Sequence, residues 1–173
     1  MKIVDIPHIP LGVSDLPSAF DKVFKEETLR AIHGNDLISV SPWVQRESHA
    51  GGEKRRIVLH HPVHKIPEEI RSMALGTKAS WVKISTKQTV NRSNVNASSW
   101  EVKNIVSIAS VGSELVQVSP TFYLERRDGL IYLSGRVEHK VFLPPPFKRT
   151  AEDAMVEETL VNLEKYTKHF TGR

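Results

Sequence analysis

The chain has no cysteine, so its fold uses no disulfide and it offers neither a thiol nucleophile nor a thiolate metal site. That absence fits a reducing compartment. No stretch approaches the ~20 consecutive apolar residues of a membrane-spanning helix. Met1 to Val13 lacks a basic region followed by an apolar run of about 7 to 15 residues, and the expected location is the cytoplasm. A G-x-S-x-G elbow, a P-loop, a G-x-G-x-x-G turn and a zincin motif are also missing, which disfavours the common hydrolases. Charge of one sign is scarce: 24 Lys and Arg against 20 Asp and Glu give a formal +4. Such an excess suits transient contact with an anionic membrane but is too small to argue for nucleic-acid binding. The basic residues are dispersed along the chain, and the densest run, Lys54-Arg55-Arg56, reads as a solvated strand end.

What is present is an ordinary 173-residue composition, 39% hydrophobic and 25% charged, which predicts one monomeric domain over residues 1–173. The clearest periodicity comes last. From Arg149 to Phe170, the residues Met155, Val156, Thr159, Leu160, Leu163, Tyr166, Thr167 and Phe170 share a helical face about 140° wide. Only Glu152 intrudes, and Glu157, Glu158, Glu164, Lys165 and Lys168 lie opposite. Pro144, Pro145 and Pro146 end the preceding strand, and Thr150 is placed to cap the helix.

Upstream, Met1 to Val13 is apolar, and its prolines at 7 and 10 make it an edge or irregular strand. Ser14 or Asp15 can cap a first short helix carrying Phe20, Val23 and Phe24, and Glu27 to His33 forms a second that Gly34 ends. Leu37 to Arg46 and Arg55 to His60 form a hairpin about Gly51-Gly52. Strands follow at Ser80 to Asn91, Ser99 to Ala109, Glu114 to Arg126 and Gly129 to Leu143. Asp128-Gly129 is a type I′ signal that sets Leu124 opposite Leu133, Phe122 opposite Gly135 and Pro120 opposite Val137, so turn chemistry and hydrophobic alternation agree. A three-residue turn on Val111-Gly112-Ser113 would bring Trp100, Val102 and Val106 to the same face. A one-sided antiparallel sheet needs a cover, which the last helix is long enough to supply.

The order from Met1-Lys2-Ile3-Val4 through Asp15-Leu16-Pro17-Ser18-Ala19-Phe20 to Ala154-Met155-Val156-Glu157-Glu158-Thr159-Leu160 resembles the START-like, Bet v 1-like superfamily. The likeness covers nearly the whole chain. Lys54-Arg55-Arg56-Ile57, Leu75-Gly76-Thr77-Lys78, Lys87-Gln88 and Phe147-Lys148-Arg149 are similar to the VASt sterol-transfer subgroup, a more limited likeness. The resemblance implies an α+β helix-grip fold, a curved antiparallel sheet wrapped around a long C-terminal helix with two short helices after the first strand. It also implies a cavity that holds, and in some members transfers, a hydrophobic or amphipathic small molecule such as a lipid or sterol, with no cofactor. A chaperone-activating interaction module and a cyclase-like enzyme remain alternatives within the superfamily.

On the inward face the polar exceptions are Gln88, Asn104, His139, Glu152 and Tyr166, and buried polar groups need either one another or a ligand's polar head. The candidate ligand-binding residues are Trp100, Asn104, Phe122, His139, Met155, Thr159, Leu163 and Tyr166, joined by Ile70 and Met73 from the long break His61 to Gly76. That break is expected to border the mouth and move when ligand enters, with Lys65, Arg71 and Lys78 towards membrane phosphates. His60-His61-Pro62-Val63-His64 does not make a metal site, because adjacent strand residues point to opposite faces. Trp81, out of phase with Val82, is expected on an outer or edge surface.

Overall fold

The computed structural model describes residues 1–66, 68, 71, 80–109 and 115–172. Strand β1 (Lys2–Pro10) is followed by helices α1 (Leu16–Phe24) and α2 (Glu26–His33). Next come β2 (Leu37–Val40), β3 (Val44–Gln45), β4 (Gly52–Pro62), β5 (Trp81–Asn91), β6 (Ser99–Ile108), β7 (Val116–Arg127) and β8 (Leu130–Val141), and helix α3 (Phe147–Thr171) ends the chain. Pairing is antiparallel throughout, in one eight-stranded sheet of order β1-β8-β7-β6-β5-β4-β2 with β3 also on β4.

Local chemistry explains most boundaries. Asp15 caps α1, its Oδ1 accepting from Ser18 N at 2.8 Å, and Pro17 sits in the first turn. The register of β1 shifts between Ile6 and Ile9, around Pro7, and the strand lies at the sheet edge where a missing N–H costs least. Asp128 (φ 50) and Gly129 (φ 78) make the β7–β8 turn with both residues at positive φ, so Arg127 faces Leu130, Leu124 faces Leu133, Phe122 faces Gly135 and Pro120 faces Val137. Val102 opposite Phe122 and Val106 opposite Val118 give the β6–β7 register expected from a three-residue turn, whose own residues lie outside the described set. Asn91 Oδ1 accepts from Ser93 N and Oγ at 3.0 and 2.6 Å, a polar turn.

The principal core lies where α1 packs on the sheet: Leu16, Ala19, Phe20, Val23 and Phe24 meet Leu124, Ile131 and Leu133. A second cluster, Val116, Val141, Leu143 and Ala151, anchors the start of α3, and a third joins Leu29 to Leu37 and Ile57. Helix α3 rests on β1 and β8, with α2 beside it.

Two details of α3 depart from the periodicity reading. Pro146, not Thr150, occupies the N-cap, and no side chain caps the helix. The inward face is also turned towards Ala151, Met155, Glu158 and Asn162: Leu160 is 53% exposed, whereas Glu152 is buried, its Oε1 3.5 Å from the Met1 amine. A helix face pressed wholly onto a dry core would have kept Leu160 inside; this one borders open space over much of its length, which relaxes the demand for apolar residues.

Candidate functional site

Because α3 leans on β1 and β8 and α1 covers only part of the sheet, some of the inner face of β4 to β7 is left uncovered beneath α3, and a cavity of about 260 Å³ fills the gap. Its floor is apolar where Ile57, Ile84, Val106, Ile108, Val118 and Phe122 project. Its roof is the inward side of α3, with Met155, Thr159, Leu163 and Tyr166, and Leu29 of α2 closes one side.

A polar row crosses the floor. Arg55 of β4 lies opposite Gln88 of β5, and Gln88 opposite Asn104 of β6; all three are buried. Arg55 was expected among solvated strand-end residues, yet it is 7% exposed. Alternation points it inward between outward Lys54 and Arg56. Its Nε donates to Gln88 Oε1 and its Nη2 to the Phe24 carbonyl, each at 2.7 Å, and its guanidinium stacks 4.5 Å from the Trp43 ring. No carboxylate pairs with it among the described residues. Burial, then neighbouring Arg92, pull its pKa down to about 10. Asn104 Nδ2 donates to the Pro120 carbonyl at 3.2 Å. The Gln88 amide nitrogen and the Asn104 amide oxygen have no partner among the described residues, and both side chains line the cavity. Tyr166 packs on Phe122, ring centroids 6.0 Å apart, and burial raises its phenol to about 12, so it stays a neutral donor at physiological pH.

His139 of β8 is fully buried, and its Nε2 lies 2.7 Å from Thr159 Oγ1, tying sheet to helix. Burial lowers its pKa, with the Lys2 backbone and Glu152 opposing, which favours the neutral ring. At the mouth, His33, Asp36, His61, Lys65, Glu158 and Lys165 converge. His33 is lowered to about 4, first by burial and then by Lys165, and His61 is also lowered by burial. The arrangement suits an apolar body with neutral hydrogen-bonding groups at the sheet end and mixed charge at the entrance.

Of the residues singled out from sequence, Asn104, Phe122, His139, Met155, Thr159, Leu163 and Tyr166 stand together around this cavity. Trp100 does not: it is buried in the core beneath α1, its Nε1 donating to the Asn94 carbonyl at 2.8 Å. Ile70 and Met73 lie outside the described residues. The polar mouth escaped sequence reasoning. Glu158 and Lys165 were assigned to the far side of the helix, and His61 to a solvated strand end; only the in-phase spacing of Ile57, Leu59 and His61 signalled that His61 faces inward. His60 instead stacks on exposed Trp81, centroids 3.8 Å apart. Among the described residues no cluster of three or more His, Asp or Glu could hold a metal, and no helix is long and apolar enough to cross a membrane.

No family model and no curated protein matches the sequence. Two solved structures are similar in shape. One is the Mll3558 protein from Rhizobium loti, with 11% identity and a TM-score of 0.46 over 96% of this chain and 93% of that one. The other is Ara h 8.0201, with 9% identity and a TM-score of 0.47 over 99% and 97%. The fold rests on the chain's own elements: an antiparallel curved sheet, two short helices after β1 and a long last helix make it a Bet v 1-like helix-grip α+β fold.

Proposed function

We propose that the protein binds, and carries between sites, a hydrophobic or amphipathic small molecule of the lipid or sterol class in the cavity between the sheet and α3. The observation that carries this reading is the cavity itself. An apolar chamber of about 260 Å³ lies where a protein that used this fold only as a scaffold would gain from packing the helix down. In this reading Phe122, Met155 and Leu163 contact the hydrocarbon, and Asn104, His139, Thr159 and Tyr166 meet the polar group. The neutral donor and acceptor that Gln88 and Asn104 leave uncommitted favour an uncharged oxygen function over an acid.

Native mass spectrometry of the full chain after incubation with a total lipid extract tests the reading. The expected result is a discrete adduct of one lipid per chain, reduced at least tenfold when Leu163 is changed to Trp to fill the chamber. An absence of any adduct or saturable uptake would refute it, and conversion of a bound molecule into product would replace carriage with catalysis.

A further inference from the structure

The basic residues that look scattered in the sequence are gathered by strand pairing. On the outward rungs of β4 to β6, Arg56 lies directly opposite Lys87, Lys54 opposite Thr89, Thr89 opposite Lys103, and His60 opposite Lys83. Lys54, Arg56, Lys83, Lys87 and Lys103 are all exposed. Glu101 is the sole acidic residue facing outward on these three strands; it pairs with Lys103 at 3.3 Å, and the other four cations form no ion pair among the described residues. Like charges placed directly across strands destabilise a sheet, so the Arg56–Lys87 rung costs stability without a folding benefit. Large apolar side chains stand among them: Ile105, beside Lys87, is 60% exposed, Trp81 is 51% exposed, and Val44, beside Lys54, is exposed as well.

We propose that this outer face of β4 to β6 docks on an anionic lipid bilayer. Two features choose a bilayer over other polyanions. The cations are lysines and one arginine with flexible stems on a broad sheet surface, suited to a diffuse field of headgroups rather than a single phosphate. Ile105, Val44 and Trp81 project from the same face, and an amphipathic indole with aliphatic neighbours belongs at a lipid interface, where a nucleic-acid backbone would leave the aliphatic groups without partners. The face also ends beside the entrance to the cavity. Trp81 pairs with Pro62, the residue before the turn Val63–Lys65, and Lys65 and Ile66 line the cavity. The docking surface does not depend on what the cavity holds.

Flotation of the full chain with vesicles tests it. Vesicles of phosphatidylcholine containing about 30 mol% phosphatidylserine should carry the protein, phosphatidylcholine alone should not, and added salt should release it. A basic side chain near such a surface contributes roughly fivefold in partitioning, so Lys54→Glu with Lys87→Glu should cut it by more than about 25-fold. Each new carboxylate lies next to Arg56, so the fold is kept and an unchanged melting curve verifies it. A control of equal charge change on the helix, Arg149→Glu with Lys168→Glu, should retain most of the binding. The fluorescence of Trp81 should shift to the blue on anionic vesicles and lose acrylamide quenching, a signal absent in Trp81→Phe. No binding to anionic vesicles, equal loss in both double variants, or binding by this face to a DNA or RNA duplex but not to vesicles would overturn the proposal.

Discussion

Acidification should destabilise this protein through His33, and by a predictable amount. The residue ends α2 at the cavity mouth, where burial first, then the charge of Lys165, hold its pKa at about 4 against 6.5 in the open chain, with Asp36 opposing. The unfolded imidazole therefore takes up its proton as pH falls through 6.5, while the folded one stays neutral until about pH 4. Stability attributable to His33 is fully present above 6.5, declines as pH drops and levels off below 4. Between pH 7 and about pH 4.5 the linkage relation gives a loss of about 2 kcal/mol after allowance for the partial exposure of the ring. Urea unfolding at both pH values reads it directly. His33→Gln should lose about 2 kcal/mol less than the parent over that interval, because carboxylates and the remaining histidines titrate alike in the two proteins and cancel. Lys165→Gln should shrink the loss by less than half, since burial outranks charge. Parallel pH dependence in the parent and His33→Gln would refute the assignment, as would an NMR titration placing the His33 ring near 6.5.

Two further outcomes follow from packing. Gly135 sits at φ +151, and a Cβ there would lie 2.0 Å from the Thr121 carbonyl oxygen, so Gly135→Ala must push β7 and β8 apart; a cost of about 2 to 4 kcal/mol, or roughly 4 to 16 °C in Tm, is expected by calorimetry, and an unchanged Tm would contradict the close approach. Arg55→Ala removes two charge-assisted bonds, stranding the Gln88 amide oxygen and the Phe24 carbonyl in the interior; a loss of about 2 to 4 kcal/mol is expected in urea, whereas a gain would mean that the unpaired guanidinium costs more than its bonds return.

The strand register near the C-terminus was legible because two independent signals, the turn chemistry of Asp128-Gly129 and the alternation of Phe122, Leu124, Ile131 and Leu133, had to agree, and both are local. The cap of Asp15 and the edge placement of β1 are local for the same reason: a side chain three residues from its N–H partner, or a proline without an N–H, acts within its own segment. The site was partly legible. Residues in phase with the apolar face, such as Asn104, His139 and Tyr166, lie around the cavity because strand and helix periods bring them to that side.

Tertiary structure decided the rest. Alternation with Ile57 and Leu59 puts Arg55 on the inward side of β4, but what holds its guanidinium there comes from distant segments: the Gln88 amide oxygen of β5, the Phe24 carbonyl at the end of α1 and the Trp43 ring. The cavity exists because α3 rests on β1 and β8 rather than on the middle of the sheet, and its contact with β1 joins segments more than a hundred residues apart. The pairing of β4 with β5 likewise places Arg56 beside Lys87, turning dispersed charges into one face. Charge repulsion along a chain is averaged over its conformations, and it becomes a fixed surface field only when strands hold those residues a few ångströms apart.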